Sequence, residues 1–418
     1  MISVGLVFVA VAGIAFLGFL INALFDRMRI AGILPLMLIG IAIGPILGLI
    51  NTSPSGIIQQ LTPFITAITI AFILFEVGIS TNVKNLKKIA IRGTVFTFLT
   101  QISTALALSV AAHLLFQWAL IYCFIFGFSI SGPSAVILPS ILKMVKLPSE
   151  LRTTLSYESV LTETLKLIVP LLLIETILIS NVSYSIASFI FFTDIVGAAI
   201  LGTISALIWL YLLNRFRGWS RNYRWVLSVT MLLATYGISE LLGLSTAITI
   251  FVFGLMFAVA VAHKDGIINR TIGSPVTLKA DLAYIKNYQR EIVFFTSTFF
   301  FVYIGIRFSL SELSWLAISY AILITAVILI IRAASVPILR SYMSKDPGRR
   351  RMEGGIVNFD IGRGLASAVV AIIPISLGIN IPGFLDQIFL VILFTNLVSS
   401  LGIFLTYRKP KEKDEAAK

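Results

Sequence analysis

Long apolar runs recur along almost the whole chain, and they restrict its fold more than any other feature. Each run has the length of about 20 residues that an α-helix needs to cross a bilayer. The runs occupy residues 2–25, 30–50, 63–79, 90–116, 118–143, 152–180, 186–213, 222–242, 244–262, 290–308, 314–340, 354–378 and 383–406. Only 12% of the residues are charged, whereas soluble proteins have about 25%. The sequence therefore predicts an all-α membrane protein with thirteen transmembrane helices.

Basic residues lie mostly in short clusters between the apolar runs, such as "KNLKK", "NRFRGWSR" and "RSYMSKDPGRRR". A net charge of +13 alone would suggest nucleic acid. The basic connectors, however, alternate with nearly uncharged ones, which is the positive-inside pattern of cytoplasmic loops. We therefore expect a multi-pass protein of the cell membrane, in contact with lipid and not with nucleic acid. Its amino terminus would lie outside and its carboxy terminus in the cytoplasm.

Thirteen spans divide into six, one and six. An odd helix between two sets of six inverts the second set relative to the first, as in many secondary transporters. We predict a first six-helix repeat at residues 1–180 and a linker helix and loop at 181–221. An inverted six-helix repeat at 222–406 and a charged cytoplasmic tail at 407–418 would follow.

Glycine and proline interrupt the fifth span of each predicted half. The interruptions are "SISGPSAV" (Ser129 to Val136) and "FDIGRGLAS" (Phe359 to Ser367), with Asp360 and Arg363 in the second. Paired breaks favour a binding site where half-helix ends meet and the two interrupted helices cross. The alternative is ordinary packing glycines or kinks. The broken-helix residues are Gly132, Pro133, Gly362 and Gly364.

The sixth span contains "ESVLTETLKLIVP", which places ionisable groups inside an apolar segment. At 100° per residue, its polar side chains fall within one arc of roughly 140°. They include Glu158, Ser159, Thr162, Glu163 and Lys166. One interpretation is that Glu163 and Lys166 form a purely structural ion pair. Replacing a buried ion pair with apolar residues is often neutral or stabilising, so stability alone gives little reason to keep such a pair. Ionisable residues inside a span are usually functional, so we favour a polar site.

The chemistry of this arc suits a monovalent cation. Na⁺ and K⁺ are hard cations that prefer oxygen ligands. The Glu163 carboxylate, the Thr162 and Ser159 hydroxyls and the unwound backbone around Ser131 offer such oxygens. Burial disfavours the charged form of a carboxylate, so a proton and a cation can compete for one anion. Such competition at a site that opens alternately to each side is antiport, with Lys166 neutralising Glu163 when the cation is absent.

Several segments resemble, in the right order, motifs of the cation/proton antiporter superfamily, which includes the prokaryotic sodium/proton exchangers. They include "ILFEVGISTNVKNL", "ISGPSAVILPSILK", "ESVLTETLKLI" and "GRGLASAVVA". The resemblance covers nearly the whole chain. It implies a homodimeric secondary antiporter that exchanges protons for Na⁺, with K⁺ as the alternative ion.

The resemblance also implies roles for the residues of the sixth span. Glu163 matches the family's ion-exchanging aspartate, and Thr162 matches the asparagine that precedes it. The family commonly has an aspartate in the fifth-span break, where this chain has Gly132. These departures leave the transported ion and the stoichiometry open.

Three further residues have counterparts in the family or lie beside a break. Arg363 matches a twelfth-span arginine, and we expect it to form a buried, structural ion pair with Glu158. Glu76 matches a third-span glutamate that is sometimes at the site. Asp360, beside the second break, is like Glu76 a candidate for an accessory role.

Other functions lack support in the sequence. No Walker motif, nucleotide fingerprint or nucleophile constellation appears, so we expect neither an ATP-driven pump nor an enzyme, and no cofactor. The only metal we expect is the transported Na⁺. A cation channel or uniporter on the same scaffold and a transport-inactive sensor remain alternatives. Polar residues expected to reach the membrane interface or a neighbour include Glu175, Asp194, Glu240, Arg307 and Arg332.

Overall fold

A computed structural model describes residues 12–20, 33–48, 57–81, 91–135, 137–138, 141–142, 145, 147–178, 184–216, 221–262, 275–310 and 313–406. These residues form helices and the connections between them, and none of these ranges contains a β-strand. The predicted all-α class is confirmed.

Helices follow one another along the described chain. In order they are α1 (12–20), α2 (Ile33–Ile41), α3 (Ile57–Ser80), α4 (Ile91–Phe116), α5 (Leu120–Ser129), α6 (Ser149–Leu178), α7 (Tyr184–Arg215), α8 (Arg221–Leu241), α9 (Thr246–Ala262), α10 (Pro275–Arg307), α11 (Trp315–Ser335), α12 (Pro347–Phe359), α13 (Leu365–Ser376) and α14 (Phe384–Thr406). A π-helical turn, Ala42–Ile46, extends α2, and a 3₁₀ segment, Val336–Tyr342, extends α11. Every predicted apolar run overlaps at least one helix, and the run at 354–378 is divided between α12 and α13.

Within the described ranges, five helical segments are long and apolar enough to cross a bilayer. They are Pro63–Ser80, Gly93–Phe116, Thr193–Arg215, Trp315–Tyr342 and Phe384–Thr406. Ile200, Ile204 and Ile208 are exposed along one face of α7, as expected for a lipid-facing helix. The count of thirteen spans, the inverted repeats, the domain boundaries and the orientation of the termini stay predictions. The predicted tail, 407–418, lies outside the described residues.

The backbones of α3 and α9 are in direct contact. A Cβ atom on Gly78 would lie 2.6 Å from the carbonyl oxygen of Phe251, and one on Gly254 would lie 2.8 Å from that of Phe75. Only residues without a Cβ atom permit so close an approach. The rings of Phe75 and Phe253 stack beside this contact with their centroids 5.4 Å apart. The two helices therefore share a tightly packed apolar interface.

The chain leaves helical geometry at both predicted breaks. The first break follows the end of α5 at Ser129, and residues 130–135 are not helical. The second lies between the end of α12 at Phe359 and the start of α13 at Leu365. Val136, the last residue of the first predicted break, lies outside the described residues.

Candidate functional site

The two non-helical segments contact each other through backbone groups that a continuous helix would use internally. The amide of Ser134 donates a hydrogen bond of 2.9 Å to the carbonyl oxygen of Gly362. A Cβ atom on Gly364 would lie 2.1 Å from the Ser134 hydroxyl oxygen, so only glycine fits there. The Ser367 hydroxyl, on α13, donates to the carbonyl oxygen of Ser129 at 2.6 Å. The free backbone groups at each break thus find partners on the other segment, as buried non-helical backbone requires.

The polar arc of α6 is buried against these segments. Its members, Glu158, Ser159, Thr162, Glu163 and Lys166, are each at most 2% exposed. Charged side chains are almost never this buried unless they are paired. The partners of each charge therefore decide what the arc can do.

Glu163 lies where α6 meets both broken segments. Its Oε2 accepts hydrogen bonds from the Ala135 amide at 3.2 Å and from Lys166 Nζ at 3.0 Å. Its Oε1 accepts one from the Ala366 amide, in the first turn of α13, at 3.3 Å. The partial positive charge of a helix amino terminus stabilises an anion at such a position. One carboxylate is therefore in contact with both interrupted helices.

Lys166 holds the carboxylate and two backbone oxygens at once. Its Nζ donates to the carbonyl oxygens of Gly132 and Pro133, each at 3.1 Å, as well as to Glu163. These three oxygens are of the kind that a hard cation binds. The ammonium group therefore occupies the position in which the sequence predicts a cation.

The other three predicted cation-binding residues, two through their hydroxyls and Ser131 through the unwound backbone around it, lie at different distances from Glu163 along the chain. Thr162 donates to the carbonyl oxygen of Pro133 at 3.3 Å, so it shares an acceptor with Lys166. Ser159 donates to Leu155 within α6 at 2.7 Å, one turn before Glu163. Ser131 donates to the carbonyl oxygen of Phe128 at 2.9 Å. Of the three, Thr162 belongs most closely to the cluster around Lys166.

The predicted ion pair between Glu158 and Arg363 is wrong. Both carboxylate oxygens of Glu158 bind Arg332 of α11, Oε1 to Nη1 and Oε2 to Nη2 at 3.0 Å. Arg332 is 3% exposed, so it does not extend to the membrane interface as the sequence suggested. Its Nε donates to the carbonyl oxygen of Val357 at 2.8 Å, which fixes the guanidinium plane. The bidentate geometry of arginine suits a buried carboxylate better than a single contact would.

Arg363 instead serves the freed backbone of both breaks. It donates to the carbonyl oxygens of Ile130 and Ile361, each at 2.6 Å, and to that of Ser131 at 3.2 Å. A buried carbonyl oxygen without a donor costs about 1–3 kcal/mol. Arg363 thus joins the two segments through hydrogen bonds rather than through an ion pair.

Comparison with known proteins decides the family. The family model described as "Sodium/hydrogen exchanger, transmembrane" matches residues 12–409. The chain belongs to the sodium/hydrogen exchanger family. This agrees with the motif resemblance, and it makes the protein a cation/proton antiporter, a transporter and not an enzyme. Comparison with curated protein sequences gives no match.

The solved structures that share the fold of this exchanger include two of the sodium proton antiporter MjNhaP1 from Methanocaldococcus jannaschii. The structure at pH 8 has 18% sequence identity and a TM-score of 0.73, and it covers 95% of this chain and 97% of its own. A structure from an electron-microscopy map has 18% identity and a TM-score of 0.64, with 97% and 94% covered. At this level of identity the similarity concerns the fold.

The two accessory candidates of the exchanger have different surroundings. Asp360, which caps the end of α12, is 2% exposed and has Oδ2 3.5 Å from Arg332 Nη2. Asp360 therefore extends the Glu158 side of the site. Glu76, on α3, has Arg290 of α10, Glu163 of α6 and Lys286 of α10 as its electrostatic neighbours. Neither carboxylate hydrogen-bonds to Glu163 in the described chain.

Sequence reasoning missed several groups that hold the site together. Gln101 on α4 donates to the Ser131 hydroxyl at 2.6 Å, and Asn396 on α14 donates to the carbonyl oxygen of Arg363 at 2.8 Å. An amide side chain inside an apolar run is a signal that could have identified both. The amides of Ala135 and Ala366 give no such signal, because alanine has no polar side chain.

Proposed function

We propose that the exchanger carries Na⁺ and protons in opposite directions across the membrane by alternating access to one site at Glu163. The environment of the Glu163 carboxylate supports this most directly. Its donors are Lys166 on the same helix and one main-chain amide from each broken segment, at 3.0–3.3 Å. A group in contact with three parts of the fold can transmit its own charge state to all of them.

In the absence of a cation, Lys166 neutralises Glu163. Two opposite charges buried together cost less free energy than either charge alone. The ammonium also gives the carbonyl oxygens of Gly132 and Pro133 a donor at 3.1 Å. In the empty site, therefore, every one of these groups has a partner. The Lys166 ammonium must move away from its three oxygen acceptors before another cation can bind them.

An incoming Na⁺ would take over the oxygens that Lys166 releases. These are the Glu163 carboxylate and the carbonyl oxygens of Gly132 and Pro133. The Thr162 hydroxyl, which already contacts Pro133, adds an oxygen that ligates without titrating. Ser159 and Ser131 complete the proposed cation-binding set, Ser159 lying one helical turn from Glu163.

A proton competes with Na⁺ for the same carboxylate. Either ion adds one positive charge to Glu163, so the loaded site carries the same net charge in both directions. We therefore propose an exchange of one proton for one Na⁺, which is electroneutral. Assembly as a homodimer belongs to the proposal on the family resemblance alone, and the mass of the protein in lipid nanodiscs would test it.

Transport by purified protein in liposomes tests the function. The vesicles contain a pH-sensitive dye, and Na⁺, Li⁺, K⁺ and Rb⁺ are added outside in turn. We expect Na⁺ to move protons in wild type and not in Glu163→Gln. The exposed Glu150 on α6 provides the matched control, because Glu150→Gln changes the same side chain far from the site.

Each other outcome points to a different function. A response to K⁺ as large as that to Na⁺ would identify a K⁺/H⁺ antiporter, and cation flux without proton movement would identify a channel. Undiminished exchange in Glu163→Gln would reject the site. Clamping the membrane potential with valinomycin, in fixed K⁺, tests the stoichiometry, because a Na⁺-driven rate that follows the potential would reject one-for-one exchange.

A further inference from the structure

A buried side-chain amide lies beside the first break, and its oxygen has no hydrogen-bond donor. Gln101, on α4, is 1% exposed. Its Nε2 donates a hydrogen bond of 2.6 Å to the Ser131 hydroxyl oxygen, whereas its Oε1 accepts none within the ranges the structure describes. A buried acceptor without a donor is unfavourable, and native proteins contain few of them. The unpaired oxygen therefore indicates a partner that the described chain does not supply.

The Ser131 hydroxyl fixes the direction in which the amide faces. A serine hydroxyl has a single proton, and Ser131 donates it to the carbonyl oxygen of Phe128 at 2.9 Å. Ser131 Oγ can therefore only accept a hydrogen bond from Gln101, so the nitrogen of the amide must face it. Turning the amide around would place two acceptors against each other at 2.6 Å. The Gln101 oxygen is thus directed away from Ser131.

Gln101 Oε1 and the Thr162 hydroxyl oxygen lie next to the same glycine. A Cβ atom on Gly132 would be 2.6 Å from Gln101 Oε1 and 2.7 Å from Thr162 Oγ1. The two oxygens are therefore close neighbours, yet the Thr162 hydroxyl donates to the carbonyl oxygens of Pro133 and Ser159 and not to Gln101. Because Gly132 has no side chain, it does not fill the space beside them. Two neutral oxygens this near to one point can bind the same hard cation.

Gln101 also lies where a cavity meets the exchange site. Gln101, Gly132 and Pro133 all line one cavity between α4, α6 and α11. The carbonyl oxygens of Gly132 and Pro133 accept hydrogen bonds from Lys166, each at 3.1 Å, so the cavity and the ammonium share these two residues. Glu163 is not among the described residues that line the cavity. A cation in the cavity is therefore next to Gln101 before it reaches Glu163.

We propose that Gln101 is a further cation-binding residue of the exchanger, and that its side-chain oxygen binds the cation that takes the place of Lys166. The inference rests on the exchange site proposed above and adds a ligand from α4, a helix that this site does not otherwise use. The incoming cation gives Gln101 Oε1 the partner that it lacks, and Thr162 Oγ1 lies beside it as a second neutral oxygen. Ser131 holds the amide, so the oxygen is in position before the cation arrives.

An uncharged ligand affects transport in a different way from Glu163. The amide oxygen binds a cation but does not titrate, so Gln101 adds to the affinity for the cation without adding a charge to the site. Its hydrogen bond to Ser131 also holds the oxygen in one place, and the contact that it makes then depends on the radius of the ion. Removing this oxygen should therefore change the relative affinities for ions of different size. A residue with a purely structural role would change the transport of all of them by the same factor.

The test compares Gln101→Met, which keeps a similar length and volume without the oxygen, with Gln101→Glu, which keeps an oxygen. Dye-filled liposomes measure the proton movement driven by Li⁺, Na⁺, K⁺ and Rb⁺, and the unfolding temperature in Na⁺ against choline measures binding without transport. For Gln101→Met we expect the apparent Na⁺ affinity to fall about five- to tenfold, with altered ratios among the four ions and less stabilisation by Na⁺. Gln101→Glu should bind Na⁺ more tightly than wild type at alkaline pH, because a carboxylate replaces the amide.

Gln387→Met is the matched control. Gln387, on α14, is likewise a buried glutamine whose Oε1 has no donor in the described chain, and it is 5% exposed. Its Nε2 donates to the carbonyl oxygen of Ala317 in the first turn of α11, at 3.5 Å, and not to a broken segment. The control should therefore leave the ion affinities and their ratios at wild-type values.

Three results would overturn the proposal. In the first, Gln101→Met lowers the rates for all four ions by one factor at unchanged affinity, as a structural residue would. In the second, Gln101→Met loses equal stability in Na⁺ and in choline while the affinity stays intact, which would assign the oxygen to a bound water. In the third, Gln101→Glu binds Na⁺ no more tightly than wild type. The variant Glu163→Gln separates these failures from failure of the exchange site: undiminished exchange in Glu163→Gln rejects the proposed function, whereas lost exchange there with any of the three results rejects only the added ligand.

Discussion

Two carboxylates on α6, five residues apart, are held in different ways. Glu158 binds both terminal nitrogens of Arg332, which is itself fixed by a hydrogen bond to Val357 and lies 5.1 Å above the ring of Phe96. Glu163 binds one ammonium group at 3.0 Å and two main-chain amides at 3.2 and 3.3 Å. One carboxylate has a partner with fixed geometry, and the other has a partner that can leave.

The difference follows from the chemistry of the two cations. Arginine keeps its charge under all ordinary conditions and presents a rigid fork, whereas lysine is a point charge on a flexible stem. Arg332 reaches Glu158 from another helix, so their pair joins α6 to α11. Lys166 is on the same helix as Glu163, so this ion pair by itself joins no two helices. The same helix thus carries one pair suited to structure and one suited to exchange.

The largest expected contrast is between Glu163→Gln and Glu158→Gln. Glu163→Gln keeps a hydrogen-bonding oxygen but cannot titrate, so exchange should disappear. Its loss of stability should be the smaller of the two, because a buried lysine can give up its proton and an arginine cannot. Glu158→Gln leaves Arg332 with only the Asp360 carboxylate, 3.5 Å from its Nη2, so stability should fall while the folded protein still exchanges. Dye-filled liposomes and thermal unfolding, measured on both variants, check this. If Glu158→Gln abolishes exchange in fully folded protein, the division of roles is wrong.

Arg332→Gln should cause the largest loss of stability. Breaking a buried pair by removing one partner costs about 3–5 kcal/mol, and here Val357 also loses its donor. Denaturant unfolding measures the free energy, with Arg340→Gln as the control because Arg340 is an exposed arginine beyond α11. Equal stabilities for the two variants would contradict the structural role of the Arg332 pair.

Lys166→Gln should have a smaller effect on stability, and one that depends on the cation. Glu163 keeps its two main-chain donors and can take up a proton, so the empty protein should lose only about 1–3 kcal/mol. Na⁺ should recover most of this loss and bind with higher apparent affinity, because no ammonium competes for the site. Thermal unfolding with and without Na⁺ measures both effects, with the exposed Lys345→Gln as the control. A loss that Na⁺ does not recover would make Lys166 a structural residue.

Thr162→Ala should have the smallest effect. It removes one oxygen ligand worth about 1 kcal/mol, so the apparent Na⁺ affinity should weaken about fivefold. The pH dependence of exchange should stay unchanged, because a hydroxyl ligates without titrating. Thr164→Ala is the matched control, since the Thr164 hydroxyl donates to the carbonyl oxygen of Val160 within α6 and has no other hydrogen bond in the described part of the chain. An unchanged affinity would remove Thr162 from the proposed ligand set.

The sequence predicted those parts of the site that depend on local pattern. Helical periodicity placed Glu163 and Lys166 on one face, and glycine and proline located both breaks. The partner of Glu158 depends on which helix packs against α6, and Arg332 is 174 residues away in sequence. Arg332 and Arg363 both lie in apolar runs, so local pattern could not separate them. The Ala135 and Ala366 amides were beyond prediction, since any residue supplies a main-chain N–H.

The contact between α3 and α9 limits how this exchanger can move. At Gly78 and Gly254 the two backbones already lie so close that even a methyl group would collide. Sliding one helix along the other would bring larger neighbours into the same gap, so the two must travel as a single rigid body. The interface that opens to admit ions must then lie between other helices, whose packing leaves space for them to move relative to each other. A cross-link joining α3 to α9 should therefore leave transport running.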